Sequence, residues 1–455
     1  MIVMKFGGTS VESQQAVARV TGIVQKHRAR RPIVVVSAMG KTTNKLLQAA
    51  SEAASGRRDQ ALTLVDELRG HHLTHGLALA GSASAELDRY IRAHFEWLDE
   101  LVKGLSVVGE LSPRSMDAIA SVGERLSSLI VSFAFRSAGM PVQHVDSRRV
   151  ILTDDRFTQA APFLEESFEL LREIVLPAAN SSVVVMGGFI GSTRDGHTTT
   201  LGRGGSDYSA SIVGAGIGAE EIQIWTDVDG MLTADPRIIP GGYRVKSISF
   251  AEAAEMAYFG AKVLHPATVM PAVEKNIPVL ILNSRRPDVD GTRITSEAIP
   301  CRNPVKSISC KSNITILNVR STRMLMAHGF LRRIFEVFDR YATSVDMVST
   351  SEVSVSLTVD NPENLPEICD NLRQFAEVSV ENGQAIVCLV GENIRHTPGI
   401  AGRAFQVLHD KNIRMISQGA SLLNLGFVIA ERDLRDAVTA LHAEFFSELD
   451  PAVFD

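Results

Sequence analysis

Residues 1–27 read MIVMKFGGTSVESQQAVARVTGIVQKH. The β-branched, apolar run IVMKF stops at a glycine pair, and the stretch after it sets Val17, Val20 and Val24 on one face of a helical period. Strand, glycine turn and helix in that order is the repeating unit of a parallel sheet covered by helices. The pattern recurs at PIVVVSAMG (32–40), which leads into KTTNKLLQAA, and at SSVVVMGGFIG (181–191), which leads through TTTLGRGGSDYSA (198–210) into a helix starting near Ser206. Three glycine-bearing turns therefore sit at strand ends. In SFAEAAEMAYFGAKVLH (249–265), Ser249 and Glu252 have capping-box spacing, which marks a helix start and puts Lys262 about three turns in. Residues 51–140 read as a mostly helical, polar subdomain beside the sheet.

From SRRPDVDGTRITSEAIPCRNP (284–304) the periodicity gives way to Pro, Asp and Arg, which marks a boundary. The region beyond it repeats itself. Laid 70 residues apart, Gly329, Arg333, Phe335, Val337 and Ser351 fall on Gly399, Arg403, Phe405, Val407 and Ser421. Each copy reads strand, glycine turn, helix, strand, strand, and two copies at this spacing are paired modules rather than a solenoid. The copies differ: Asp346 and Glu352 in the first stand where the second has Ile416 and Leu422. The first copy has carboxylates that suit an amine ligand; the alternative is that both acids face water.

A chain of 455 residues is long enough for two or three domains, and its net charge of −6 gives no general attraction to nucleic acid or to an anionic membrane. A small-molecule ligand is expected. The N-terminus reads directly into a strand without a secretory leader, and the apolar runs are expected to fall short of the roughly 20 residues that span a bilayer. Cys301, Cys310, Cys369 and Cys388 lack C-x-x-C spacing, so buried thiols in a reducing cytoplasm are expected.

Two motifs mislead. GKTT (40–43) lacks the first glycine of a phosphate-wrapping loop, since that position is Val35 inside a strand. GAGIGA (214–219) matches a dinucleotide fingerprint but follows a helix and runs into the strand EIQIWTD, so no helix opens to receive a pyrophosphate. What remains is a dispersed phosphate site. Lys5 beside Gly7 and Gly8, LGRGGSD, the TDVDG loop at 226–230 and Lys262 bring cations and bare N–H groups to successive strand ends, which is the equipment phosphoryl transfer asks for.

Taken in order, KFGGTSV, SAMGKTTN, VGERLS, GGFIGS, TTTLGRGGSDYSA, WTDVDGMLTADPR and FGAKVLHPAT resemble the signature set of aspartate kinases. The tail STRMLMAHGFLRRIFEVFDRYATSVDMVSTSEVSVSLTVD is similar to the regulatory ACT region of monofunctional, lysine-sensitive members. The resemblance covers essentially the whole chain. It implies an α/β architecture: an amino acid kinase fold, with a mostly parallel sheet between helices, over 1–290 (helical subdomain about 51–140). A linker at 291–304 and two ferredoxin-like βαββαβ ACT domains over 305–455, in units of about 313–380 and 384–455, would follow.

The implied reaction is transfer of the ATP γ-phosphoryl group to the side-chain carboxylate of L-aspartate, the first step toward lysine, threonine and methionine. By the family pattern Lys5 and Asp207 lie at the reaction centre. Thr43, Glu124, Phe189, Arg203, Gly204, Gly205 and Ser206 bind aspartate, Arg203 clamping its α-carboxylate and Glu124 facing its ammonium. Lys5, Gly7, Gly8, Ser10, Thr226, Asp227, Leu232, Arg237, Lys262 and Val263 match the nucleotide side, with Mg²⁺ riding on the ATP phosphates. Arg237 in ADPR has a second reading as a turn cap, and Glu124, outside the motif set, one as a helix-surface acid. His265 reads as helix-end packing, because the attacking carboxylate is already ionised and needs no base.

Met324, Gly329, Phe330, Leu331, Ser344, Val345, Asp346, Ser351 and Glu352 align with the family's effector pocket, L-lysine being the implied effector. Met326, Thr343 and Leu232 depart from the family pattern, and the first two leave threonine open as an effector. A cytoplasmic homodimer through the ACT domains, or a tetramer, is the implied assembly, with neither nucleic acid nor membrane as partner. Two rivals stay open: an amino acid kinase acting on glutamate, and a non-catalytic amino-acid sensor that kept the fold.

Overall fold

A computed structural model describes residues 1–260, 266–297, 299–321 and 329–455. In chain order its strands are β1 (Ile2–Phe6), β2 (Pro32–Val36), β3 (Val142–His144), β4 (Val183–Gly187), β5 (Ile190–Ser192), β6 (Thr198–Thr200), β7 (Glu221–Thr226), β8 (Ser247–Ser249), β9 (Val279–Asn283) and β10 (Thr292–Thr295). They continue with β11 (Ser307–Arg320), β12 (Val348–Thr350), β13 (Ser354–Val359), β14 (Glu377–Val390), β15 (Met415–Gln418) and β16 (Asn424–Ala430). The chain forms two compact units, Met1–Gly230 with Val263–Ser296, and Met231–Lys262 with Glu297–Asp455.

In the first unit the strands lie in the order β3-β4-β2-β1-β7-β9-β10, parallel throughout except for the β9–β10 pair. The mostly parallel sheet implied by the sequence is present. Strands covered on both faces read as unbroken apolar runs, and β1, β2 and β4 are buried along their whole length. Lys5 is the exception in β1, opposite Val35 and Ile224 and only 9% exposed. A buried ammonium needs a partner.

Helix Gln14–Lys26 starts where Ser13 Oγ accepts the Ala16 N–H at 3.3 Å, and its Val17, Val20 and Val24 pack with Phe6 and Trp225. GAGIGA ends helix Gly205–Ile217 at Gly218 (φ 64°), as its place before β7 requires. The region expected to be helical and polar does form helices, Arg58–Leu77, Ser84–Val108 and Pro113–Ser137, but it encloses its own core of Val65, Leu68, Ile91, Phe95, Val102, Ile119 and Leu126. Helix Pro113–Ser137, at 25 residues, is long and apolar enough to cross a membrane, against the expectation that apolar stretches stop short of that length. Since 83% of that apolar window is buried inside the fold, the helix reads as a core helix.

The second unit corrects the linear division of the repeats. Its sheet runs β12-β13-β11-β14-β16-β15, with the long strands β11 and β14 each serving both copies. The first copy uses Thr315–Arg320 against β13 and against the first half of β14. The second copy begins with Gln384–Val390 against β16 and takes its fourth strand from Ser307–Lys311, upstream of the first copy, rather than from the chain's end. An interior edge of β14 left open would carry unpaired N–H and C=O groups, and residues 307–311 close it. Segment Met231–Lys262 also belongs to this unit rather than to the kinase-like one.

That segment is anchored by a fully buried ion pair. Glu252 completes the expected capping box, its Oε2 accepting from Ser249 N–H at 2.9 Å, and both its oxygens lie 3.0–3.1 Å from Lys306 Nζ. The capped helix runs Phe250–Tyr258; Lys262, Val263 and His265 lie outside the described residues. Removing one partner of a buried pair strands the other charge. Lys306→Ala is expected to destabilise the second unit by about 3–5 kcal/mol, read as a lowered denaturation midpoint of that unit; an unchanged midpoint would contradict the burial.

Candidate active site

Lys5 is the penultimate residue of β1, and its Nζ lies 2.7 Å from Asp207 Oδ1. Asp207 occupies the first turn of helix Gly205–Ile217, which enters from Gly204 in the left-handed region at φ 72°. An acid there is favoured by the helix's N–H groups, and the same groups favour a bound anion.

Close backbone approach joins the other motif loops to this pair. A Cβ on Gly188 would lie 2.8 Å from Ser206 Cβ, and one on Gly8 would lie 2.9 Å from the carbonyl oxygens of Ala38 and Gly40. Phe189 holds a left-handed backbone at φ 66°, unfavourable for a side chain of its size, and is locked by N–H donation to Ser209 Oγ at 2.9 Å. Arg203 is exposed and has no ion-pair partner among the described residues, while Thr43 is half-buried in the first turn of helix Thr42–Ala54.

Glu124, on helix Pro113–Ser137, is a buried acid and not a helix-surface one. Its Oε1 accepts the Ala38 N–H at 3.2 Å, whereas Oε2 is buried without a hydrogen-bond partner. Burial pushes its carboxyl up to about 8, against the Ala38 N–H, which favours the ionised form. An ammonium ligand would satisfy the open oxygen and recover the charged state.

On the expected nucleotide side the outcome is divided. Gly7 donates its N–H to Trp225 O at 3.1 Å and Ser10 N–H to Gly7 O at 2.9 Å, leaving the N–H groups of Gly8 and Thr9 uncommitted among the described residues. Ser10 departs from its expected role: it is buried, with its hydroxyl 2.8 Å from Ser284 Oγ, tying the glycine turn to the end of β9. Thr226 ends β7, the strand paired directly with β1, and exposed Asp227 follows it. Leu232 and Arg237 fall in the second compact unit. Arg237 is 79% exposed and forked onto Asp235, with its backbone N–H on the same carboxylate at 2.8 Å, so the turn-cap reading describes it. Among the described residues no three His, Cys, Asp or Glu side chains converge as a metal cage.

One residue escaped sequence reasoning. Asp117, two turns before Glu124 on the same helix, is buried and accepts the Thr158 N–H (2.9 Å), the Thr200 N–H (3.0 Å) and the Thr200 hydroxyl (2.6 Å). It pins the end of β6, from which Arg203 projects three residues later. Its one signal was an acid two turns before Glu124 on the same helix.

In the expected effector region, Gly329 (φ 81°) opens helix Phe330–Arg340, Phe330 is buried, and Leu331, Ser344, Ser351 and Glu352 are exposed. Val345 is half-buried, and Met324 lies outside the described residues. Asp346 does not simply face water. Its side chain is 4% exposed, Oδ1 lies 2.8 Å from Lys311 Nζ, and Oδ2 is buried without a hydrogen-bond partner. Lys311 also reaches Asp360 at 2.6 Å. Burial pushes the Asp346 carboxyl above its usual range despite the Lys311 ammonium.

The amino acid kinase family model matches residues 1–283 and an ACT domain model matches 387–445. Aspartokinase 1, chloroplastic, of Arabidopsis thaliana is 38% identical over 468 residues, covering 98% of this chain and 80% of that one. Lysine-sensitive aspartokinase 3 of Escherichia coli is 37% identical over 461 residues, covering 98% and 99%. The chain belongs to the aspartokinase family. Two solved structures of E. coli aspartokinase III match this aspartokinase-family chain at 36% identity over 98% of its length. The complex with aspartate and ADP (R-state) gives a TM-score of 0.85 and covers 100% of that chain; the complex with lysine and aspartate (T-state) gives 0.84 and covers 99%.

Glu124 generates a pH dependence with a definite sign. Below about pH 8 the empty site holds it protonated, whereas an ammonium ligand needs the carboxylate. Apparent affinity for aspartate should therefore rise with pH up to about 8, by at most about tenfold per unit. Glu124→Gln should raise KM and flatten that dependence, which steady-state KM measured across the range will reveal.

Proposed function

We propose that this chain is an aspartate kinase, transferring the γ-phosphoryl group of ATP to the side-chain carboxylate of L-aspartate to give 4-phospho-L-aspartate and ADP. The observation that carries the proposal is the Lys5–Asp207 pair at 2.7 Å, set between a glycine turn and a helix N-terminus. A carboxylate oxygen of aspartate attacks the γ-phosphorus and the bond to the ADP oxygen breaks; no proton has to be removed. The transition state is loose, with charge spread over the phosphoryl oxygens, so positioned cations and N–H donors supply most of the catalysis.

Lys5 meets those oxygens, and Asp207 aims it. The N–H groups of Gly8 and Ser206 add donors, while Gly205 N–H is spent on the Gly202 carbonyl at 3.0 Å. Arg203 takes the α-carboxylate of the acceptor in a two-point fork, Oε2 of Glu124 takes its ammonium, and Thr43, Phe189 and Gly204 shape the space around it. Gly7, Thr226 and Asp227 border the nucleotide at neighbouring strand ends, with Ser10 holding the turn from behind. For Leu232, Arg237, Lys262 and Val263 the family resemblance is the support. ATP brings Mg²⁺ on its phosphate oxygens, which fits a donor set in which the central carboxylate is already paired to an ammonium; the ion supplies further charge neutralisation at the transferring group.

L-lysine acts as the feedback effector. Its amine would meet the open Oδ2 of Asp346, beside the Lys311 ammonium on Oδ1, and Ser344, Val345, Ser351, Glu352 and the helix start at Gly329, Phe330 and Leu331 complete the candidate pocket. Inhibition requires lysine to bind an inactive state more tightly than the active one. A homodimer through the ACT domains is the proposed assembly, with exposed Leu331 (41%) and Phe335 (40%) as apolar surface. The four free cysteines suit a reducing cytoplasm.

Purified protein with ATP, Mg²⁺ and hydroxylamine, which traps acyl phosphates, should give product with L-aspartate; product with L-glutamate alone, or none, would overturn the assignment. Lys5→Ala should lower kcat by about 10²–10³, the loss typical of one transition-state donor. Asp346→Asn should raise the lysine concentration needed for half-inhibition at least several-fold without lowering the uninhibited rate. Inhibition by threonine but not lysine would refute the effector assignment.

A further inference from the structure

A cavity lies in the first unit, on the flank of helix Pro113–Ser137. Its volume is ≈ 270 Å³, and its walls include His94, Arg125, Ser128, His144, Asp146 and Ser147. We infer that this cavity is a binding site for a small oxyanion, a phosphate or a short carboxylate. Its volume falls just below the range of about 300–1,000 Å³ typical of drug-sized ligands.

The charge balance of the walls sets the sign of the ligand. Asp146, the lining acid, is forked by Arg148, with Nε at 3.0 and 3.1 Å and Nη2 at 2.6 Å. Burial pushes its carboxyl up, but the Arg148 guanidinium outweighs that and holds it below its usual range, so the pair is ionised and self-neutralised. Arg125 has no ion-pair partner among the described residues and keeps a planar two-point donor free. Burial, with Arg148 nearby, lowers it to about 10, which leaves it charged at neutral pH but poorly solvated. Burial also lowers His94 and His144. His144 Nε2 lies 3.0 Å from Ser128 Oγ, and His94 Nδ1 lies 2.8 Å from Tyr90 O, which leaves His94 Nε2 uncommitted among the described residues. A cavity with one unpaired guanidinium, a neutralised acid and two imidazoles has unspent positive charge.

The cavity shares structure with the candidate active site without being part of it. Arg125 directly follows Glu124. Ser147 Oγ donates to the Gly187 carbonyl, at the head of the Gly188–Phe189 turn, and Arg148 Nη1 donates to Thr198 Oγ1 at 3.2 Å, in the strand leading to Arg203. An anion on Arg125 would thus sit against the segment that ties both acceptor-binding loops together.

Calorimetric titration tests the inference, using inorganic phosphate and malonate as separate probes. Aspartate and ADP are kept saturating so that acceptor and nucleotide sites are filled, and ionic strength is matched with chloride. The wild-type chain is expected to bind at least one probe saturably, and Arg125→Leu to weaken that binding at least tenfold while its basal turnover stays within twofold. Binding of phosphate alone, or of malonate alone, assigns the source of the oxyanion. No saturable binding beyond chloride, or equal binding by Arg125→Leu, overturns the inference. If Arg125→Leu loses basal turnover, Arg125→Lys decides: it keeps the charge but not the planar fork, and unchanged affinity there overturns the inference as well. The Arg125 comparison does not depend on aspartate being the acceptor, so failure here is distinguishable from failure of the kinase proposal.

Discussion

A single buried cation organises the kinase-like unit. Lys5 stands in a strand whose other side chains are apolar and fully enclosed, so its ammonium must be neutralised inside the protein. Asp207 does this at 2.7 Å from the first turn of a helix some two hundred residues away in sequence. The pairing holds a strand end and a helix N-terminus in register, and it aims a positive charge and a set of N–H donors at one place. Structural necessity and catalytic equipment coincide here, because the charge that needs burial is also the charge that phosphoryl transfer needs.

Around that pair the acceptor site is held by groups that touch no ligand. Asp117 spends both carboxylate oxygens on Thr158 and Thr200, Ser147 clamps the carbonyl before the Gly188–Phe189 turn, and Ser209 locks Phe189 in its left-handed backbone. Each fixes a loop that would otherwise sample many conformations, and fixing it beforehand lowers the cost of ordering it when substrate arrives. Glu124 is treated oppositely. One of its oxygens is left buried and unsatisfied, and burial raises its carboxyl to about 8, which keeps an interaction open for a cationic ligand.

The regulatory unit shows the same use of partly satisfied carboxylates. Asp346 is neutralised on one oxygen by Lys311, which it shares with Asp360, while its other oxygen is enclosed without a hydrogen-bond partner. The second repeat lacks this acid and instead engages the chain itself: Ser421 and Asn424 donate to the two oxygens of Glu255 at 2.7 and 2.6 Å. One copy therefore keeps an open acceptor and the other is closed by an internal ligand, which gives the repeat's asymmetry a physical basis.

Local grammar was legible in the sequence. The strand, glycine turn and helix units, the capping box at Ser249 and the helix end at Gly218 follow from backbone preferences and spacing within a few residues, and the 70-residue repeat from matching residues at a constant offset. The motif set also singled out Lys5, Glu124, Arg203 and Asp207. Tertiary structure alone decided the rest: that residues 307–311 close the second repeat, that Ser10 turns inward, that Asp117 pins β6 and that Lys311 claims half of Asp346. Those outcomes depend on which distant segments become neighbours. A short sequence window specifies the conformation a segment prefers, but the partner of a buried polar group is specified only when the sheet order brings two remote segments within hydrogen-bonding distance.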